Sequence, residues 1–370
     1  MKQTTILPSR YQTLNAPISL VACAFALSIG LSSTGFAQTA LDILPNASGA
    51  LIGDLANVPA QSQPFALVRD TKPASKNQIN LVTIDPKTRK PTTRRPLNIQ
   101  CERISLASQK IAGVPSWAVF CLGAPAAKQF GASPYYRVTD GALKDQSTGN
   151  LPLGMIVSRA RIASDAAYAS STAFVSSGGY SAGNLSTEAL VIDLKTNKIL
   201  PQLERWVIRQ NGKAVNYKDP ANKDLNVWGV SFVRGQSNVF YATVQFNKVQ
   251  YLAKGDVAKQ SLEVMKAGIE CPSVSPDGKR IAYKHRDKQR WHSAVLDLTT
   301  FKTTVFKDPS SVDDQIEWLD NDTLLYETVT FKPQGPSVDL LARSVSASLA
   351  NPSAAPTLWL SNAASPAVSR

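Results

Sequence analysis

The chain has 370 residues, with 40 Lys and Arg against 27 Asp and Glu, a formal charge of +13 and 43% hydrophobic residues. That apolar fraction excludes an intrinsically disordered chain. The length suits one large all-β unit or several smaller domains.

Residues 1–37 read as an export signal. Lys2 and Arg10 give a sparse positive start, and Ala16 to Ala37 carries no charge. The segment ends in Gly35-Phe36-Ala37, whose small residues suit cleavage before Gln38. Pro17, Gly30 and Gly35 argue against a permanent membrane helix. Leu20-Val21-Ala22-Cys23 offers an alternative, a lipobox that would anchor the protein by a lipid on Cys23; the short apolar run before it favours cleavage after Ala37. The expected mature chain is residues 38–370, with a net charge of +11, in the periplasm, the cell envelope or the medium. No later stretch reaches the ~18 to 20 apolar residues that a membrane span needs.

The first β-like pattern is Leu81-Val-Thr-Ile-Asp85-Pro-Lys-Thr, a strand running into an Asx-type turn. It leads into the densest basic run, Lys87, Arg89, Lys90, Arg94 and Arg95, which lacks the interleaved aromatics of a nucleic-acid platform. Nucleic acid is therefore not an expected partner. Cys101 opens one apolar run and Cys121 lies near the end of the next, so the two face each other across a hairpin. An oxidising compartment permits that disulfide. Cys271 is left over and reads as a small buried apolar residue.

Further along, a second pattern repeats: apolar strand, tight polar turn, apolar strand. Its copies are Arg161 to Ser170, Trp228 to Tyr241, Pro272 to Tyr283 with the turn Pro276-Asp277-Gly278, and Gln315 to Tyr326. Aligned on Ser231, Ser275 and Glu317, they are 44 and 42 residues apart, the length of one propeller blade. Asp85 has counterparts in Asp193 and Asp297, each before a Thr/Lys turn, and all three are expected to form turns. Helical periodicity is nearly absent, with Leu262 to Ala267 the best candidate. The fold expected is all-β: a single β-propeller of six four-stranded blades at about 60–99, 100–150, 151–224, 225–268, 269–310 and 311–370.

From Cys101 to about Tyr326 the chain resembles exported TolB-like β-propeller proteins of actinobacterial type. The residues that carry the likeness are Cys101 and Cys121, Ser158-Arg-Ala-Arg161, Asn226-Val-Trp-Gly-Val230, Glu270-Cys-Pro-Ser273, Ser275-Pro-Asp-Gly278 and Ser311-Val-Asp-Asp-Gln315. The resemblance implies a six-bladed exported scaffold with a translocation-associated role and no enzymatic activity. Ala163-Ser-Asp165-Ala departs from the family's Pro-Asp-Gly turn.

A search for chemistry returns little. His285 and His292 lack metal-ligand spacing and sit among Lys and Arg, so no metal is expected. Gly179-Tyr-Ser-Ala-Gly183 matches a nucleophile elbow as a bare pattern, without its strand-turn-helix context. No cofactor signature is present. One constellation remains. The repeat register puts Arg159, Arg161, Asn226, Glu270, Asp313 and Asp314 at the entry ends of inner strands, which gather at one channel mouth. These are the candidate ligand-binding residues, for a protein or a cell-envelope polymer. The alternative is a hydrolase or lyase acting on an envelope glycan, with Glu270 and Asp314 as its two carboxylates.

Overall fold

The computed structural model describes Leu55 and residues 64–111, 114–123, 134–152, 156–174, 186–215, 224–288, 290–312, 314–332 and 335–369. The expected export signal with its Cys23 alternative, the Gly179 to Gly183 pattern and Asp313 lie outside them. Six antiparallel sheets form a ring, a six-bladed β-propeller. The inner strands of blades 2 to 6 are Arg103–Ile111, Ile156–Ile162, Asn226–Val233, Glu270–Val274 and Glu317–Trp318. Blade 1 takes its inner strand, Ala363–Val368, from the end of the chain and its other three, Phe65–Asp70, Gln78–Ile84 and Pro91–Gln100, from the beginning. Each inner strand packs beside the next, and Ala363–Val368 packs beside Arg103–Ile111, so the ring closes.

The apolar pattern explains the stacking. Among the described residues there is one buried apolar cluster between each pair of adjacent blades. Successive side chains of a strand point to opposite faces of its sheet. In Phe65–Asp70, Phe65 and Leu67 enter the cluster shared with blade 2, whereas Ala66 and Val68 enter the one shared with blade 6. A strand buried on both faces reads as a continuous apolar run, which is what the sequence shows there. Leu55 enters the blade 1–2 cluster from before the first strand, and its amide donates to the Gly141 carbonyl at 2.6 Å.

The turns follow from single side chains. Asp85 Oδ1 accepts from the amides of Lys87 and Thr88 at 2.9 and 2.6 Å, and Asp297 Oδ1 from those of Thr299 and Thr300 at 2.9 and 2.7 Å. Asp193 repeats the arrangement with Lys195 and Thr196. The fourth residue after each, Arg89, Asn197 and Phe301, is left-handed, with φ of 59, 55 and 55°. The amides of Arg89 and Phe301 donate back to the carbonyls of Asp85 and Asp297, at 2.9 Å in both, and so close a four-residue loop. In Ser275-Pro-Asp-Gly278 the Ser275 hydroxyl donates to Asp277 and accepts from the Arg280 amide, and Gly278 has φ 71°.

Three local features differ from the sequence reading. Leu262 to Ala267 is strand, part of Ser261–Ala267, because its alternate residues face a sheet neighbour on each side. The α-helix among the described residues lies elsewhere, at Val345–Ala350, capped by the Ser344 hydroxyl, which accepts from the Ala347 amide. Two segments also sit in other sheets than their place in the chain suggests. Ala363–Val368 pairs with Phe65–Asp70, and the hairpin of Val207–Gln210 and Lys213–Ala214 pairs with the outer strand of blade 4 rather than blade 3. That hairpin covers an exposed sheet edge.

Strand direction gives the ring two unlike faces. The Asx turns and Ser275–Gly278 close one face. The inner strands begin on the other, here termed the entry face, which also carries the second-to-third strand connections 71–77, 124–134, 175–186, 247–248, 287–290 and 333–334.

The Cys101–Cys121 disulfide is present, with the Cα atoms 5.5 Å apart. It ties the junction between blades 1 and 2, where Cys101 links the outer strand of one to the inner strand of the next.

Candidate functional site

Arg159 and Arg161 are two residues apart on an inner strand, so both side chains leave its channel face, while Ala160 between them packs into the blade 2–3 cluster. Blade 6 stands three blades away, on the far side of the ring. It supplies two carboxylates. Asp314 is ion-paired with Arg159, and Glu317 with Arg161 at 3.2 Å. The two pairs cross the channel as consecutive rungs. Arg103, on the inner strand of blade 2, approaches Asp314 at 3.5 Å and donates to the Ser158 carbonyl at 2.6 Å. All of these groups are largely buried, with Arg159 11% and Asp314 10% exposed at the side chain.

The electrostatics are set by this enclosure. Burial opposes ionisation of Asp314, but the guanidiniums of Arg159 and Arg103 outweigh it and hold the carboxyl well below the usual range. Burial pulls Arg161 down to about 10, against the attraction of Asp314. Both groups remain charged at neutral pH.

The rungs leave little room. On the entry side, Arg103, Arg159, Asp314, Gln315 and Ser365 line a space of about 10 Å³. On the other side is a cavity of about 80 Å³ to which every inner strand contributes, through Ser105, Arg161, Ser231, Ser273, Glu317 and Ala367 among others. Small-molecule sites commonly occupy ~300 to 1,000 Å³. This ring of residues also corrects the repeat register, since Ser273 and not Ser275 stands level with Ser231 and Glu317. Ser231 lies within its strand, Asn226–Val233, whereas Ser275 lies past the end of Glu270–Val274, in the turn; a bulge follows Glu270, where Cys271 is left-handed at φ 49°. Gly229 opens the same bulge in blade 4 at φ 68°, and a Cβ there would lie 2.8 Å from the Cys271 Cα. Only glycine allows that approach of two backbones.

The other expected site residues lie apart from the rungs. Asn226 ties blade 4 to blade 3: its Oδ1 accepts from the Thr187 amide at 2.7 Å and its Nδ2 donates to the Asp224 carbonyl at 2.9 Å. Glu270 faces Lys284 across its own blade. Burial pushes its carboxyl up to about 7, which Lys284 and Arg286 only partly offset. Cys271 is a free, buried thiol. His292 is held by Asp287 at 2.8 Å and by the Asp308 amide at 3.2 Å. No group of three or more potential metal ligands occurs among the described residues.

Three groups escaped the sequence reading. Arg103 stands two residues before Ser105 as Arg159 stands two before Arg161, on inner strands of adjacent blades, and that equivalence was its available signal. Serine and threonine ties between blades recur: Ser105 and Ser231 accept from Ile162 and Val274 amides, and Thr172 and Thr243 from those of Gly229 and Cys271. The third is a fully buried ion pair, Asp308 with Arg343 at 2.9 Å, joined by the Tyr326 hydroxyl at 2.5 Å. It has no repeat signature at all.

Two outcomes follow from this geometry. Asp314→Ala strands two buried guanidiniums and is expected to cost about 3 to 5 kcal/mol, whereas Arg159→Met with Asp314→Leu costs less than either single change. Urea denaturation of the three variants checks this, and additive losses would contradict the pairing. Glu270 behaves oppositely with pH. Its folded carboxyl keeps a proton up to about 7, while an unfolded one releases it near 4.5, so its contribution is fully present below 4.5 and is lost as pH rises through 7. In a pH series of urea midpoints, Glu270→Gln should remove this decline; an unchanged slope would refute the assignment.

No family model matches the chain, and no curated protein matches it. Similar solved structures include TolB from Acinetobacter baumannii, at 15% identity and TM-score 0.48, covering 83% of this chain and 66% of that one. A putative TolB from Agrobacterium tumefaciens aligns at 10% identity and TM-score 0.46, covering 81% and 90%. A puromycin-hydrolyzing peptidase from Mycobacterium tuberculosis aligns at 10% identity and TM-score 0.42, covering 81% of this chain and 45% of its own. The chain thus spans just under two thirds of the Acinetobacter protein and under half of the peptidase. At these identities the likeness is one of propeller fold.

Proposed function

We propose that this protein is a non-catalytic propeller, exported from the cytoplasm, that binds a protein or cell-envelope polymer through its entry face. The observation that carries the reading is the state of Asp314. A glycan-cleaving site needs two carboxylates with open space between them. Asp314 instead has both oxygens engaged by Arg159 and Arg103 within the channel. Glu270, with its raised pKa, faces Lys284 across its own blade and does not line the spaces beside Asp314.

What remains is a rigid ring with unlike faces. One face is drawn tight by Asp-centred turns; toward the other, the second strands of blades 2 and 3 end at Gly123 and Phe174 and their third strands begin at Tyr135 and Thr187. Variable loops on a rigid scaffold are where binding surfaces are usually built. The Cys101–Cys121 disulfide supports an oxidising, extracytoplasmic setting. Among the described residues no helix is long and apolar enough to cross a membrane.

The test is affinity capture from cell envelope, with mass spectrometry of what is retained. Replacing 175–186 by a short Gly-Ser linker should abolish capture of the specific partner while leaving the thermal midpoint within a few degrees. Release of sugars from envelope polymer by the purified protein, abolished by Glu270→Gln, would overturn the reading.

A further inference from the structure

The entry face is uneven in charge and in relief. In blade 6 the second and third strands, Thr323–Lys332 and Gly335–Ser344, pair along their whole length. The inner strand flanks them only at Leu324 and Leu325, and the outer strand only at Leu340 to Ala342. The last pairs, Phe331 with Pro336 and Lys332 with Gly335, therefore lie beyond the flanked part of the ribbon. Phe331 is 71% exposed there, the most exposed large apolar side chain among the described residues.

The connections on either side of this ribbon are basic. Blade 1 contributes the exposed Lys72 and Lys76, and blade 5 the exposed Arg286 and Lys288. Asp287 is the one acid among the described residues of connections 71–77 and 287–290, and it is bound to His292. At the base of the blade 5 connection, Arg286 lies 5.3 Å and Lys284 4.7 Å from the centroid of the Trp291 ring. Blades 5, 6 and 1 are consecutive around the ring, so these groups form one arc. The turns of the opposite face carry both signs, Asp85, Asp193, Asp277 and Asp297 lying close to Lys87, Lys195, Lys279 and Lys302.

We infer that this arc docks on an anionic lipid bilayer, with Phe331 entering the headgroup region and the flanking Lys and Arg meeting lipid phosphates. Phe331 is a single exposed aromatic at the unflanked end of its ribbon. It is suited to a soft, uniform surface, where an apolar tip and a basic collar act together. Each basic residue near such a surface adds attraction that fades within a Debye length. The net charge of +13 acts in the same direction. Docking by blades 5, 6 and 1 leaves the longer connections of blades 2 and 3 free, so this inference is independent of what they bind.

The exported protein, purified as the cell processes it, is sedimented with vesicles of phosphatidylcholine alone or mixed with phosphatidylglycerol. Binding is expected to the mixed vesicles only and to fall steeply with salt. Phe331→Ser should weaken it by about tenfold, and Lys72→Glu with Lys76→Glu and Lys288→Glu should abolish it. Phe301→Ser, on the opposite face, should change nothing. Equal binding to both vesicle types, or unchanged binding of the Phe331 and lysine variants, would overturn the inference. So would retention on immobilised polyglutamate without vesicle binding, which would assign the arc to an acidic protein.

Discussion

Everything in this molecule depends on one pairing between the two ends of the described chain. Ala363–Val368 lies antiparallel to Phe65–Asp70, and the Phe65 and Ser369 backbones meet beyond it, with the Ser369 amide donating to the Phe65 carbonyl at 2.8 Å. This contact turns a row of six sheets into a ring. Without it, blades 1 and 6 would each expose the apolar face they now bury together through Val68, Val82, Leu325 and Trp359. Arg94 reinforces the seam, since it pairs with Asp70 at 3.0 Å and donates to the carbonyls of Ser361 and Asn362. Closure by chain ends brings loop entropy late in folding, after the local hairpins have formed.

Closure has an electrostatic consequence. A ring of six strands narrows to a channel, and the channel faces of opposite strands are forced close together. Arg159 and Arg161 would repel if left alone in that space; burial and mutual repulsion both act against their charge. Asp314 and Glu317 arrive from across the ring and neutralise them. A buried ion pair adds little net stability over an apolar pair, yet loss of one partner is costly. The rungs therefore specify which strands face one another more than they strengthen the ring. The same rungs occupy the channel between blades 3 and 6.

The repeats were legible because each Asp turn and each apolar run is fixed by local chemistry. Asp85, Asp193 and Asp297 needed no tertiary information, and neither did Cys101 opposite Cys121. The charged residues of the channel were partly legible: their presence near one mouth follows from the register, but their pairing across the diameter depends on the ring. Glu317 was in the aligned column, and only closure gives it Arg161 as a partner. The two-residue error at Ser275 came from matching a serine of the turn with one inside a strand, since Glu270–Val274 ends before Ser275 whereas Asn226–Val233 contains Ser231. Asp308 comes from the junction between blades 5 and 6 and Arg343 from the third strand of blade 6; only Tyr326 belongs to the repeat, so the linear pattern did not mark the group.

The central claim is that the ring is one cooperative unit, locked where the chain ends meet. Native-state hydrogen exchange measures this directly. The amides of Phe65–Asp70 and Ala363–Val368 that pair across the seam should exchange only through global unfolding, with the same free energy as the inner strands of blades 3 and 4. If the seam amides exchange at a markedly lower free energy while blades 3 and 4 stay protected, the ring opens at its closure and the account fails.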